Sequence, residues 1–536
     1  MDCGPVDSVL GRLVDPAADP TALRADPSQG RTRAHAVDAL TAFWAGDHEA
    51  CGRHARAARA VAATPDDQAL AWAAAGLASS GATPATRVDW AAAAALLDRA
   101  PAAPGPALAP YLLAEAALAC ARLDVASALI TDLGWVQTWA GHRFEAVVLA
   151  TVVRIRAFTG RIDLAAEGLA ALEVAAGRSG TVALAEAVAV LVHGNADHPE
   201  ETQARIDAVV ASRTPTGTHL GRGVHLLAAY GALSLGDVGQ AASLVLLATA
   251  EGGFDRLPLV DRALAWEVLT HAALLVGDLE AAHAWAVASA PLRHHPIARP
   301  PCERLLARIA LAEDDPVRAM RHAATAVDAA RAEGREIEAA EGTILLARAR
   351  IADDRVAEAT RSLREAVQES DARGYHAVRR SAGQVLASAR RRLPPPSAGG
   401  WEVLSVRERQ VAEHVLEGHD VTAVARRMGV SPSTVRVHLS RVLCAFGVSS
   451  RLGRVLALGP RGEADWEPPV SLTRRQQEVT ALVARGHDNT EVAHLLGISV
   501  KAVEKHVGDA LRRWEAPSRF HLARCWMLHQ GLPPTG

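Results

Sequence analysis

Lysine is nearly absent from this chain of 536 residues. Of its 57 basic residues only Lys501 and Lys505 are lysines, and aromatic residues make up 4% of the sequence. A nucleotide-binding loop of the GxxxxGK[ST] type needs a lysine that reaches the phosphates. No such loop can precede residue 501, which excludes a nucleotide-hydrolysing motor of this kind from the first 500 residues.

Clustered cysteines and long apolar runs are also missing. The six cysteines include no CxxC pair and no group of cysteines and histidines at metal-ligand spacing, so we expect buried thiols, no metal site and no cofactor. The longest apolar run covers residues 241–250, little more than half of the roughly 18 residues that a membrane span requires. The first residues lack the basic and apolar segments of a secretion signal. We therefore expect a cytoplasmic protein that does not enter the membrane.

The net charge of −3 conceals an asymmetry along the chain. Residues 401–536 carry 18 basic against 14 acidic side chains, whereas the first 400 residues carry 39 basic against 46 acidic ones. A basic tail on an acidic body is typical of a polyanion-binding module attached to a body with a different task.

Two proline-rich segments divide the sequence into a long body and two short tail domains. Alanine-rich stretches at helical spacing run through the chain, and no alternating strand pattern is present, so the predicted fold class is all-α. The predicted division is a helical repeat domain over residues 1–393, a linker over 394–400, a first tail domain over 401–460, a second linker over 461–470 and a second tail domain over 471–536.

The body repeats one unit, which consists of an apolar helix, a turn containing aspartate and an alanine-rich second helix. Six turn aspartates recur at intervals of 37 to 41 residues, with one interval of 74, at Asp124, Asp163, Asp237, Asp278, Asp315 and Asp354. We expect each to accept hydrogen bonds from the free N–H groups that begin the second helix. Helix pairs at such a period predict an α-solenoid, in which each pair buries its apolar face on its neighbours. The body loosely resembles tetratricopeptide-like repeats with longer loops.

The tail contains one unit twice. Residues 404–451 align with residues 472–519 without a gap, and 17 of the 48 pairs are identical. Each copy opens with a capping box, in which two side chains three residues apart satisfy the N–H groups of a helix end. These boxes are Ser405 with Glu408 and Thr473 with Gln476. A first helix, a short second helix, a turn at glycine and a third helix follow, which is the helix-turn-helix layout.

A helical wheel separates the third helix of each copy into two faces. The inner apolar stripe is Val435, Leu439, Val442, Leu443 and Phe446 in the first copy, and Val503, Val507, Ala510, Leu511 and Trp514 in the second. The outward face is Ser433, Arg436, Val437 and Ser440 in the first copy, and Glu504, Lys505 and Gly508 in the second. In the major groove an arginine reads guanine, a hydroxyl binds either a base or a phosphate, and an apolar group contacts the thymine methyl.

Both copies resemble the LuxR-type helix-turn-helix domain. The first, LSVRERQVAEHVLEGHDVTAVARRMGVSPSTVRVHLSRVLCAFGVSSR, is similar almost end to end, and the second, LTRRQQEVTALVARGHDNTEVAHLLGISVKAVEKHVGDALRRWEAPSR, up to Leu511. The resemblance implies that the motif spans residues 421–440 and 489–508, and that a fourth helix beginning near Ser450 or Ser518 packs beneath and often dimerises. The residues it implies as DNA contacts, together with the outward faces above, are Thr422, Arg426, Ser433, Thr434, Arg436, Val437, His438, Ser440, Arg441, Asn489, Thr490, Lys501, Glu504, Lys505, His506, Gly508 and Arg512.

The second copy departs from the family pattern. Trp514 to Pro517 replace the usual Lys-Leu-Gly-Val, Ala502 replaces a threonine, and Glu504 directs a carboxylate toward the DNA. A carboxylate near phosphates weakens binding unless it accepts a hydrogen bond from a cytosine amino group. One interpretation makes this copy a packing or dimerisation module. The other interpretation is that this copy binds DNA, because both lysines of the chain flank its third helix, where their charge suits a phosphate or a guanine.

The resemblance implies a transcription regulator. The family also includes receiver-domain response regulators and ATP-dependent regulators, but the missing strands and lysines argue against both here. We expect a nucleoid-associated activator, not an enzyme, that binds double-stranded promoter or operator DNA and contacts RNA polymerase. By analogy its solenoid would sense an unknown ligand or protein, and the chains would form a homodimer. The alternative is a scaffold whose solenoid and tail domains both bind proteins.

Overall fold

The computed structural model describes residues 5–15, 19–81, 88–97, 106–393, 404–416, 419, 421–445, 470–484, 489–514, 516, 522 and 525–526. These residues are helical or lie in turns, and none of them forms a strand, so the predicted all-α fold class is confirmed. No helix within these ranges is both long and apolar enough to cross a bilayer. The chain divides into two compact units, Met1–Arg392 and Leu393–Gly536.

The first unit contains 21 α-helices among its described residues. They are α1 Pro5–Leu13, α2 Arg31–Ala45, α3 His48–Val61, α4 Pro65–Ser79, α5 Trp90–Leu97, α6 Leu108–Ala119, α7 Leu123–Leu129, α8 Gly134–Gln137, α9 Glu145–Phe158, α10 Ile162–Ser179, α11 Val182–Asn195, α12 Pro199–Ala211, α13 His219–Leu235, α14 Val238–Ala248, α15 Leu259–Leu275, α16 Leu279–Ser289, α17 Arg299–Ala312, α18 Pro316–Ala332, α19 Glu336–Ala352, α20 Val356–Asp371 and α21 Ala377–Ser388.

The helices of this unit pack as a stack of antiparallel pairs. From α9 onward the first helix of each pair packs against its own partner, as α9 does with α10 and α17 with α18. The first helices also pack on one another along the stack, as α11 does with α9 and α13, and α17 with α15 and α19. Each pair thus buries its apolar face on its neighbours, which is the architecture of an α-solenoid.

Successive turns of the solenoid touch each other. The backbone N–H of Asp124 donates to the carbonyl of Glu333 at 3.0 Å, and the N–H of Asp163 donates to the carbonyl of Arg373 at the same distance. In both cases the partners lie five helix pairs apart along the stack. The stack therefore coils until one turn contacts the next, with the first helices of the pairs on the inside.

Two glycines allow a close approach of two inner helices. A Cβ atom on Gly231 in α13 would lie 2.3 Å from the carbonyl oxygen of Val190 in α11. A Cβ atom on Gly194 would lie 2.4 Å from the carbonyl oxygen of Gly231. Because real Cβ contacts are never this short, any larger residue would force the two helices apart.

Three of the six turn aspartates occupy the cap position of the second helix. The side chains of Asp237, Asp278 and Asp315 cap α14, α16 and α18 by accepting backbone N–H bonds at 2.9 Å. Asp124 and Asp163 do not occupy the cap position, although their carboxylates accept from backbone N–H groups of the first helical turn, and the prediction is wrong for Asp354. The first two lie inside the first turns of α7 and α10, where their carboxylates pair with an arginine two residues earlier. Asp354 adopts a left-handed φ of 60°, the position that glycine takes in other turns.

The second unit contains two short bundles. Their helices are Val406–Leu416, Val421–Met428 and Pro432–Ala445 in the first copy, and Arg474–Ala484, Asn489–Leu496 and Val500–Arg513 in the second. Each bundle has its own buried core, built on Val411, Val424 and Val435 in the first copy and on Val479, Val492 and Val503 in the second. Leu522 and Cys525 also pack into the second core. The expected starts of the fourth helices, near Ser450 and Ser518, lie outside the described residues.

Candidate nucleic-acid interface

Both capping boxes form as the sequence predicts. The Glu408 carboxylate accepts from the Ser405 N–H at 3.0 Å, and the Ser405 hydroxyl accepts from the Glu408 N–H at 3.3 Å. In the second copy the Gln476 side chain accepts from the Thr473 N–H at 3.0 Å, and the return bond is 3.4 Å. The first helix of each bundle therefore begins at a fixed residue, which sets the frame for the two helices that follow.

The third helix of each copy starts from a glycine turn and a serine cap. Gly429 and Gly497 adopt left-handed φ angles of 64° and 63°, which glycine alone takes without steric cost. The hydroxyl of Ser431 accepts from the Thr434 N–H at 3.1 Å, and that of Ser499 accepts from the Ala502 N–H at 3.2 Å. The turn and the cap together fix the angle between the second and third helices.

Buried residues hold the inner stripe of each third helix against the core. Val435, Leu439 and Val442 are buried in the first copy, and Val503, Val507, Ala510 and Trp514 are buried in the second. Leu511 is partly buried against the same core. The side chains of Leu443 and Phe446 lie outside the described part of the structure. Since one stripe is anchored, the opposite stripe must face outward.

The first copy presents arginines on its outward surface. Thr422, Arg426 and Arg436 are exposed. Thr434 and His438 are half-buried, and the Nδ1 atom of His438 is enclosed without a hydrogen-bond partner in the described structure. The side chains of the remaining candidates lie outside the described residues; these are Ser433, Val437, Ser440 and Arg441.

The second copy presents both lysines and one carboxylate. Lys501, Glu504 and Lys505 are exposed, and none of them has an ion-pair partner within the described ranges. Arg512 is also exposed, but it pairs with Asp509 on the same helix face. A Cβ atom at Gly508 would meet nothing within 4 Å, which leaves a smooth patch beside Lys505. The net charge of this surface is therefore positive.

Two further candidate DNA contacts of the second copy are less exposed. Asn489 at the start of the second helix and His506 in the third helix are both half-buried. The side chain of Thr490 lies outside the described residues.

Three residues matter that the sequence analysis did not single out. Arg427 is exposed beside Arg426 at the end of the second helix, and two consecutive arginines there were a signal in the sequence. Arg475 bonds the carbonyl of Leu496 at 2.9 Å, which ties the first helix to the end of the second. Arg513 bonds the Gln476 side chain at 3.1 Å and ties the third helix to the first.

One group of side chains in the first unit could hold a metal ion. The ligand atoms of His35, Asp38 and His54 lie within 4.8 Å of one another, and all three residues are half-buried. His35 and Asp38 lie one turn apart on α2, and His54 lies on α3. The expectation of no metal site rested on spacing along the chain, which cannot detect ligands that two packed helices bring together.

Comparison with known proteins identifies the tail. Residues 402–457 and 470–526 both match the family model of bacterial regulatory proteins, luxR family. The transcriptional regulatory protein UhpA of Salmonella typhimurium is 44% identical over 54 residues, which cover 10% of this chain and 28% of that protein. The probable transcriptional regulatory protein NarL of Mycobacterium tuberculosis is 37% identical over 73 residues, which cover 14% of this chain and 32% of that protein. The chain thus spans under a third of these relatives and carries two LuxR-type domains.

Proposed function

We propose that this chain is a sequence-specific DNA-binding transcription activator whose solenoid receives a signal. The observation that supports DNA binding most strongly is the third helix of each LuxR-type domain. In each domain a row of buried residues anchors one face, and the other face carries exposed cationic side chains, Arg436 in the first copy and Lys501 and Lys505 in the second. A helix of this kind suits the width of the major groove.

The proposed interface divides into base-reading and phosphate-binding groups. Arg436 projects from the middle of the third helix, where a bidentate guanidinium can read the O6 and N7 atoms of guanine. Arg426 and Thr422 lie on the second helix, which crosses the DNA backbone in helix-turn-helix complexes, so we assign them to phosphates. Lys501 near the start of its helix is also assigned to a phosphate, and Lys505 one turn later to a phosphate or a guanine.

The proposal includes partners beyond DNA. An activator bound at a promoter would contact RNA polymerase, and two chains would dimerise through the fourth helices of their tail domains. The curated relatives above carry names of transcriptional regulators, which supports the regulatory role. The protein would act in the cytoplasm, on the chromosome, without catalysing a reaction.

A salt titration of DNA binding by the full chain tests the proposal. Each phosphate contact releases condensed counterions, so the logarithm of the binding constant should fall linearly with the logarithm of salt concentration. With about three to five phosphate contacts, the slope should be roughly −3 to −5. Failure to bind any duplex in a random pool at low ionic strength would reject DNA binding and leave the scaffold alternative, in which the tail binds protein.

A transcription assay tests the direction of control. Promoters recovered by mapping the genomic binding sites would be transcribed in vitro with and without the full chain. More transcript with the protein supports activation, and less transcript identifies a repressor.

A further inference from the structure

The inner helices of the solenoid line two adjoining chambers. The first has a volume of about 90 Å³ and is lined by inner helices from α6 to α19. The second has a volume of about 250 Å³ and is lined mainly by α13, α15, α17, α19 and α21. Leu233, Ser234 and Glu341 line both chambers, so the two spaces adjoin at these residues.

The first chamber has an excess of carboxylates, and we call it the acidic chamber. Five carboxylates line it, against two arginines, and each arginine already pairs with a carboxylate. Asp261 accepts a hydrogen bond from the Tyr230 hydroxyl at 3.1 Å but has no ion-pair partner among the described residues. Glu341 approaches Arg304 at 3.5 Å, and Arg304 is shared with Glu267 and Glu338. Asp261 and Glu341 are therefore the carboxylates that still lack a full countercharge.

The electrostatics of these two carboxyls agree with that view. Burial raises the pKa of Asp261 to about 6 despite the opposing effect of Arg154. Burial also raises the pKa of Glu341 to about 7, with a smaller contribution from the nearby Glu267 carboxylate. Both carboxyls line the acidic chamber, and an ammonium group bound there would supply the missing charge and favour their ionised forms.

Basic side chains line the second chamber, and we call it the basic chamber. Arg308, Arg348 and Arg380 line it together with His271. Arg308 and Arg380 pair with Glu267 and Asp197, but Arg348 has no ion-pair partner among the described residues. The Arg348 side chain is exposed, as is Leu275 in the lining of the same chamber, so the basic chamber opens to solvent at these residues.

A neutral donor or acceptor lies beside the unpaired arginine. Burial, followed by the charges of Arg308 and Arg348, lowers the pKa of His271 to about 2, so the imidazole is neutral. Its Nδ1 atom is enclosed and makes no hydrogen bond in the described structure. An unpaired guanidinium and an unused ring nitrogen that border one space are suited to a carboxylate ligand.

The spacing of residues along helix α19 gives the distance between the two proposed charge sites. Glu341 lies at the junction of the chambers, and Arg348 lies seven residues later in the basic chamber. Seven residues make two helical turns, or about 10.5 Å at 1.5 Å per residue. Ile344 and Leu345 line the interval with apolar surface. An extended peptide spans this distance with roughly three residues.

We propose that the inside of the solenoid binds a zwitterion about 10 Å long, with its ammonium group at Asp261 and Glu341 and its carboxylate at Arg348. This is the chemistry of a free tripeptide. The proposal concerns ligand binding by the solenoid alone, so its failure would not count against DNA binding by the tail, and the reverse also holds.

The test uses thermal unfolding of the full chain with defined ligand pools. A random tripeptide pool at millimolar concentration should raise the unfolding midpoint, because a ligand that binds only the folded state stabilises it. Matched pools with an acetylated amine or an amidated carboxylate should bind at least about tenfold more weakly, since each loses one charge-assisted contact. The proposal is wrong if the blocked pools bind as well as the free pool, or if neither the free pool nor a non-peptide zwitterion of similar length shifts the midpoint.

Two further experiments test whether binding requires peptide groups and which residues of the protein bind the ligand. The compound 8-aminooctanoate has the same end charges as a tripeptide at a similar separation, but it has no peptide groups. If this compound binds and tripeptides do not, the result supports the zwitterion site and rejects the peptide as its ligand. Arg348→Gln and Asp261→Asn should each weaken tripeptide binding by at least about tenfold, as loss of the matching charge on the ligand does. The control variants Arg364→Gln and Asp328→Asn, at exposed positions on α20 and α18, should leave it unchanged.

The variants can be separated from folding defects. Because Arg348 has no ion-pair partner, its replacement by glutamine leaves no opposite charge unpaired. Its midpoint without ligand should therefore match that of the original chain. Should Arg348→Gln nevertheless fail to fold, Arg348→Lys retains the charge and should bind the pool more weakly. Full binding by a folded Arg348→Gln chain would overturn the assignment.

Discussion

The two tail domains agree on their inner surfaces and differ on their outer surfaces. Both use a capping box, a left-handed glycine and a serine cap, and both bury a valine at the same position of the third helix, Val435 or Val503. At the next position the first copy exposes Arg436, whereas the second exposes Glu504. Packing and backbone geometry constrain the inner residues, while the outer residues are left for recognition.

This difference predicts an asymmetric DNA-binding site. A guanidinium and a carboxylate select different base edges, so two copies on one chain should read unlike half-sites. Selection of bound sequences from a random pool by the full chain should recover a site without inverted symmetry. A perfect inverted repeat would show that the two copies do not divide recognition in this way. The predictions below test the comparison, from the largest expected effect to the smallest.

Trp514→Ala should disrupt the second domain while leaving the first intact. Trp514 is buried, stacks on Trp526 at 6.0 Å between ring centroids, and donates from Nε1 to the Val470 carbonyl at 2.8 Å. Removing a buried tryptophan costs about 3–5 kcal/mol. Hydrogen exchange of the full chain should show faster exchange in the helix Val500–Arg513, and footprints should lose one half-site.

The control for that experiment is Arg512→Ala, which removes an exposed neighbour on the same helix. It should leave hydrogen exchange unchanged. If hydrogen exchange in the helix Val500–Arg513 is as slow in Trp514→Ala as in the original chain, the tryptophan by which the second copy departs from the family pattern does not stabilise its core.

Arg436→Ala should weaken DNA binding by roughly 1–3 kcal/mol and relax the base preference at one position of the first half-site. The reason is the loss of a bidentate contact to guanine. Arg436→Lys retains the charge but not the planar fork, so it should recover part of the affinity without the preference. Quantitative footprinting across single-base operator variants measures both effects, and an unchanged profile for the alanine variant would contradict the assignment.

Local signals predicted the tail well. Capping boxes, glycine turns and the inner stripe depend on residues within one or two helical turns, and the structure contains them where the sequence placed them. The same reasoning did not predict that Asp124 and Asp163 lie inside the first turn of their helices and not at the cap, because the cap position depends on where the preceding turn ends. The N–H groups of both residues bond to carbonyls in the next turn of the solenoid, which local spacing cannot reveal.

The chambers inside the solenoid could not be predicted for the same physical reason. Asp261 and Arg348 lie in different repeats, and their places beside two adjoining chambers depend on how far the stack coils. A period near 39 residues predicts stacking but not the curvature of the stack. The His35, Asp38 and His54 group on two packed helices is a smaller example of the same limit.

Lys505→Ala should reduce the steepness of the salt dependence by about one unit if the lysine contacts a phosphate. Lys505 is exposed and has no ion-pair partner in the described ranges, so its charge is available to DNA. A titration of the full chain between low and moderate salt measures this slope. An unchanged slope with a lost base preference would instead assign Lys505 to guanine, and no effect on either would support a packing role for the second copy.

Glu504→Gln should raise affinity for all duplexes by roughly two- to fivefold, because it removes a negative charge that faces the phosphates across water. The exposed side chain makes no ion pair within the described residues, so folding should be unaffected. The alternative is a carboxylate that accepts from a cytosine amino group, in which case the glutamine variant would lose affinity for one sequence only. Binding to a random pool and to the selected operator distinguishes a general gain from a specific loss, and either result decides whether Glu504 in the third helix of the second copy repels DNA or reads it.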